Sequence, residues 1–249
     1  MEENSISKLI WDTREQDKKL FPDRIWFKVY YIVYPLSVWF ANRRVKPNSI
    51  TLLMLPSALL AAFLFFTGNI VCVIIGAFVI QLFQIFDYSD GKVARATNQK
   101  SKYGKELDFL MHVICHPIVF LSFSGLLKMT NSINPSIIWI IVLVGAIIES
   151  AIRSLKNLVD AMDSKNSEVV ENRIVQKRGV KFILDSIYNG LVSFPCFMSV
   201  LPFIAIIEYF FKTNHSIHIV LLCVLVQIAY NAIYMIRMIF SVLKRCMRS

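Results

Sequence analysis

Six apolar runs, at about 50–67, 70–86, 107–127, 136–152, 190–211 and 217–240, leave this chain little choice of fold. Each is about as long as a bilayer crossing requires, roughly 20 residues, although the second and fourth need their polar ends to finish the span. In hydrocarbon only helices and closed barrels satisfy their own backbones. The expectation is an all-α integral membrane protein, a bundle of six transmembrane helices. A hydrophobic content of 56% agrees, being too high for an ordinary soluble domain.

The segments between the runs carry the charge. Lysine and arginine are plentiful at the N-terminal end, absent from Thr67–Asn69, and dense again from Lys92 to Lys105. Lys128 stands alone, Arg153 to Lys181 cluster, Lys212 stands alone, and Arg237, Lys244, Arg245 and Arg248 close the chain. By the positive-inside rule both termini face the cytoplasm, and so does the segment from Asp87 to His112. In a bacterium this would be the inner membrane. Positive loops beside anionic lipid heads account for the net charge of +10 without nucleic acid. The cysteines Cys72, Cys115, Cys196, Cys223 and Cys246 are scattered singly and read as small apolar fillers, with neither disulfide nor zinc implied.

Residues 1–23 are polar and mixed in charge, without the pattern of a signal peptide. From Arg24 to Asn42 the chain is aromatic, broken by Pro35 and flanked by arginines, which favours an amphipathic helix lying at the interface. Residues 1–46 are therefore expected to form a cytoplasmic N-terminal segment with that helix, and 47–249 the six-helix membrane domain. At the boundary Pro47 stops one helix and Asn48 is an N-cap for the next.

Between the second and third runs lies DYSDGKVARATNQKSKYGKELDFLMH, residues 87–112, a dense cluster of charge where two hydrophobic segments meet. Carboxylates there are costly and need a reason. At about 100° per residue, Asp87, Asp90, Gly91, Ala94 and Arg95 fall within roughly 140° of one helix face. Gly104, Asp108 and His112 recur every fourth residue and stack on one face of the next helix. Two helices can thus aim Asp87, Asp90, Asp108 and His112 at one point. Hard oxygen ligands suit Mg²⁺, Ca²⁺ or Mn²⁺. Gly91 and Ala94 leave room against the backbone, and Arg95 offers a fork of donors to phosphate. The combination points to a cation-bound phosphate or diphosphate.

These residues resemble the CDP-alcohol phosphotransferases, whose pattern is D-x2-D-G-x2-A-R-x8-G-x3-D-x3-D. Asp87, Asp90, Gly91, Ala94, Arg95, Gly104 and Asp108 match it in identity and spacing, and only the last aspartate departs, being His112. Pro47, Asn48 and Thr51 also resemble the Pro-Asn-x-x-Thr that opens the family's first span. The resemblance implies a CDP-linked lipid donor, most often CDP-diacylglycerol in bacteria, a small alcohol acceptor, release of CMP, Mg²⁺ or Mn²⁺ as cofactor, and a homodimer. It implies Asp87, Asp90 and Asp108 as metal ligands, and Gly91, Ala94, Arg95 and Gly104 around the nucleotide. The base is usually the last aspartate. An imidazole is a credible base at neutral pH, so His112 becomes the candidate.

Two other readings stand beside this one. A chain that keeps the fold and has lost the reaction would serve as a CDP-lipid-binding or partner subunit. A small transporter is a third, although its charges would not cluster at one membrane face. Among the remaining polar residues, Glu149 and Arg153 are spaced to pair with each other on the fourth span. Arg153, Lys156, Arg178 and Lys181 are candidates for holding an acidic acceptor. His116, one turn beyond His112, is expected to pack. Asp185, Tyr188 and Asn189 either line the cavity or cap a helix.

Overall fold

The computed structural model describes residues 2–20, 31–128, 133–166, 194–211 and 215–246, and among these there is no strand. The helices are α1 (Glu2–Leu20), α2 (Val33–Asn42), α3 (Pro47–Leu52), α4 (Met54–Phe66), α5 (Ile70–Ala96), α6 (Gly104–Lys128), α7 (Pro135–Asn166), α8 (Phe194–Phe211) and α9 (His215–Cys246). Among the described residues five stretches are long and apolar enough to cross a membrane: Pro47–Phe66, Ile70–Ala96, Gly104–Lys128, Pro135–Val159 and His218–Phe240. The chain is an integral membrane protein. The run expected at 190–211 is described from Phe194, and its apolar helical stretch, Leu201–Phe211, is shorter than a span.

The first span is made of two helices because Pro56 lacks the N–H that would bond back to Leu52, and its ring crowds that carbonyl. The helix breaks at Leu53, and Ser57 Oγ turns back onto the Leu53 and Met54 carbonyls at 3.0 and 2.8 Å. Asn48 is not the N-cap expected of it. Lys46 occupies that position and Pro47 opens the helix, where its missing N–H has no partner to lose. The Asn48 side chain instead donates to Ser101 Oγ at 3.2 Å, tying the start of the first span to the link before α6. That link is possible because α5 ends on Asn98 in the left-handed region, φ 55°, with Gln99 N–H bonded back to Ala94 O at 3.1 Å. Asparagine tolerates this conformation better than most residues.

Helices α4 to α7 pack around Phe65, Phe83, Phe120 and Phe123, all buried. Small residues allow the close approach that membrane helices need in the absence of a hydrophobic drive between them. Gly125 of α6 lies against the carbonyls of Phe65 and Phe66, and Gly145 of α7 against the Phe120 ring.

The aromatic stretch expected at the interface is described from Tyr31 on, where it becomes α2; residues 24–30 lie outside the described part. The polar segment before it docks on the bundle, which its composition does not announce. Helix α1 buries Ile10 in a cluster with Tyr34, Phe40, Ala41, Ile50 and Val93, and Trp11 stacks on Tyr34 with ring centroids 5.3 Å apart. Lys92, buried in α5, donates to Thr13 Oγ1 at 3.2 Å and lies 4.8 Å over the Tyr34 ring. The N-terminal helix thereby grips α5 between Asp90 and Arg95.

Candidate active site

Helix α5 brings its carboxylates to the end of the span, the Asn98 turn reverses the chain, and α6 returns with Asp108 and His112. His112 Nε2 lies 3.1 Å from Asp87 Oδ1 and 3.4 Å from Asp108 Oδ1. One ligand atom from each of Asp87, Asp108 and His112 falls within 4.8 Å of the others. Asp108 Oδ1 is buried and has no hydrogen-bond partner among the described residues. A buried, unsatisfied carboxylate oxygen beside a second carboxylate and an imidazole is a donor set that fits a divalent cation.

Asp90 is placed differently from its expected partners. Its Oδ2 accepts a hydrogen bond from Thr51 Oγ1 at 2.5 Å, across 39 positions of sequence. With Asp108 it lines a cavity of about 570 Å³ that also takes in Asn48, Thr51, Gly91, Ala94, Arg95 and Gly104. All four positions expected at the nucleotide therefore share one cavity. A side chain at Gly91 would meet Arg95 Nη1 at 3.3 Å, so the guanidinium lies close over this bare stretch of helix. Lys100, Lys102 and Lys105 add positive charge to the rim, suited to an anionic ligand.

Thr51 holds a charged acceptor, a bond worth about 1.5–3 kcal/mol. Thr51→Val keeps the shape and removes the donor, and is expected to lower kcat/KM for the nucleotide donor by about 10- to 100-fold. Steady-state kinetics beside a melting curve checks this; unchanged kinetics would mean that Asp90 needs no holding.

His116 is not merely packed. Its ring is buried, with Nε2 3.0 Å from His112 Nδ1 and Nδ1 3.2 Å from Glu149 Oε1. Phe83 stands edge-on to His112 and tilted to His116, at 5.7 and 5.6 Å between centroids. The expected pairing of Glu149 with Arg153 is present, Nε to Oε1 at 3.7 Å, and Arg153 Nη2 also comes within 3.3 Å of His116 Nδ1. Lys156 is exposed on α7. Arg178, Lys181, Asp185, Tyr188 and Asn189 lie outside the described residues.

A family model described as CDP-alcohol phosphatidyltransferase matches residues 44–243, which takes in both halves of the site. No curated protein matches the chain.

Proposed function

The chain belongs to the CDP-alcohol phosphatidyltransferase family, and from that premise we propose that it transfers a phosphatidyl group from CDP-diacylglycerol to the hydroxyl of a small alcohol, releasing CMP. The family is one of transferases in phospholipid synthesis. The observation that carries the reading for this chain is the convergence of Asp87, Asp108 and His112 beside a cavity that Arg95 lines.

Asp87, Asp90 and Asp108 would hold Mg²⁺ or Mn²⁺, which supplies charge neutralisation for the diphosphate and the departing CMP. Gly91, Ala94 and Gly104 leave space for the nucleotide, and Arg95 donates to its phosphates. His112 Nε2 takes the proton of the acceptor hydroxyl as that oxygen attacks the phosphorus distal to cytidine. Arg153, Lys156, Arg178 and Lys181 would face an acidic acceptor. Six crossings, with α8 completing the set, an interfacial N-terminal helix, cytoplasmic termini and site, the division at residue 47 and a homodimer belong to the same reading. The positive-inside distribution supports the orientation.

One feature of the sequence favours a second reading, a partner subunit that keeps the pocket without the reaction: the histidine in the aspartate's place. His112→Ala and His112→Asp separate the two. As the base, His112 is worth about 10²- to 10⁴-fold, so His112→Ala should lower kcat by that factor, and His112→Asp should not exceed the wild type. Transfer that rises in His112→Asp would mark the histidine as an impairment.

A further inference from the structure

Helix α1 precedes residues 44–243, the part that the family model matches, so membership of the family gives it no role in the reaction. Its seat is nevertheless the back of the cavity proposed for the donor. Ile10 is fully buried in one cluster with Ile50 and Val93, the chain neighbours of Thr51 and Ala94, both of which line that cavity. Beside this seat, Asp12 and Thr13 of α1 with Lys92, Arg95 and Ala96 of α5 line a second cavity, of about 220 Å³.

Arg95 borders both cavities. It is exposed, and a long side chain left free loses much rotamer entropy when a ligand fixes it. Helical side chains lean back over the preceding turn, which lays the guanidinium over Gly91, where an added Cβ would meet Nη1 at 3.3 Å. The alternative is a swing into the second cavity, toward the Asp12 carboxylate. Lys92 opposes it. Three residues before Arg95, it is a neighbour on the helix surface. Its amine donates to Thr13 Oγ1 at 3.2 Å and lies 4.8 Å over the Tyr34 ring, and Thr13 is itself set by donating to the Ile10 carbonyl at 2.7 Å. Two cations repel each other across so small a space. Lys92 is 4% exposed, so water screens its charge little, whereas Asp12 is exposed and its pull is screened. The balance leaves Arg95 on the Gly91 side.

We propose that α1 is a positioning element of the donor site: Thr13 and Tyr34 fix the Lys92 amine behind Arg95, and so hold the guanidinium over Gly91, ready for a phosphate. The proposal rests on the transferase reading for what Arg95 then binds. Thr13 and Lys92 are positioning residues in it, since both act through Arg95.

The test uses the full chain in lipid nanodiscs with Mg²⁺, taking donor KM from CMP release and CDP affinity from calorimetry. Thr13→Val keeps the shape and every charge and removes the acceptor of Lys92. It should raise the donor KM and the Kd for CDP by about 3- to 10-fold, the range for one long side chain that must be immobilised on binding, with the acceptor KM unchanged. Thr13→Ser should restore both. Lys92→Met, which fills the same space without the amine, should raise them likewise without lowering the melting temperature. In an Arg95→Ala background neither substitution should add to the effect, because the group they position is gone. Folded variants with unchanged donor KM and CDP affinity, or a shift of the same size in both backgrounds, would overturn the positioning role and leave the transferase reading intact. CDP affinity that falls in Thr13→Val, in a protein releasing no CMP, would support the positioning and remove the reaction instead. A wild type that binds no CDP would take away the donor site and the inference with it.

Discussion

Asp108→Asn is expected to abolish measurable CMP release in a protein that still folds. The substitution keeps the shape of the side chain and removes its charge at an oxygen that is buried, without a hydrogen-bond partner among the described residues, and 3.4 Å from His112 Nε2. The Asp108 side chain as a whole is 42% exposed, so the loss is read in rate and not in stability. As a ligand Asp108 carries part of the several kcal/mol of charge stabilisation a bound cation supplies, and its removal is expected to cost roughly 10²-fold or more. The asparagine amide would also place donors where the site needs acceptors. CMP release beside a melting curve measures it, and full activity in the variant would remove Asp108 from the metal ligands.

Gly125→Ala is expected to have the largest effect on folding. A Cβ there would stand 2.3 Å from the Phe66 carbonyl oxygen, 2.5 Å from that of Phe65 and 2.5 Å from Phe66 Cα, all backbone. No rotamer change relieves such contacts, so α4 and α6 must separate. The cost lies at or above the top of the ~1–3 kcal/mol typical of overpacking. At Gly145 the added carbon would come within 2.1 Å of Phe120 Cε1, a ring that can shift, and at Gly91 it would meet the mobile end of Arg95 at 3.3 Å. The order of melting temperatures in detergent should therefore be Gly91→Ala highest, Gly145→Ala lower and Gly125→Ala lowest. A Gly125→Ala protein that melts with the wild type would show that α4 and α6 do not approach this closely in the folded state.

What was legible in the sequence followed from repetition along one helix. The four-residue spacing of Gly104, Asp108 and His112 foretold their common face, and five of the six apolar runs foretold stretches long enough to span. What was hidden depends on contacts between distant segments. Asp90 was grouped with the other carboxylates, and nothing local revealed that Thr51, 39 residues earlier, would hold it. His116 lies one turn beyond His112 on the same face, so its contact with His112 could have been read. Its second partner, Glu149, is 33 residues away and required knowing that α6 packs on α7. Asn48 looked like a cap because its type suits one, and Ser101 claimed its amide instead. Helix α1 escaped notice because its docking uses few residues, chiefly Ile10, Trp11 and Thr13, within a polar segment.

Most directly, the account is tested by the purified wild-type protein, given CDP-diacylglycerol and a panel of small alcohols, with Mg²⁺ or Mn²⁺ present, chelated and restored. CMP that appears only with an acceptor, stops on chelation and returns with the cation is the expected result, and the productive alcohol names the substrate. Nucleotide that binds in a cation-dependent way while no alcohol yields CMP would contradict it, and would leave a membrane protein that has kept the pocket of a transferase without its reaction.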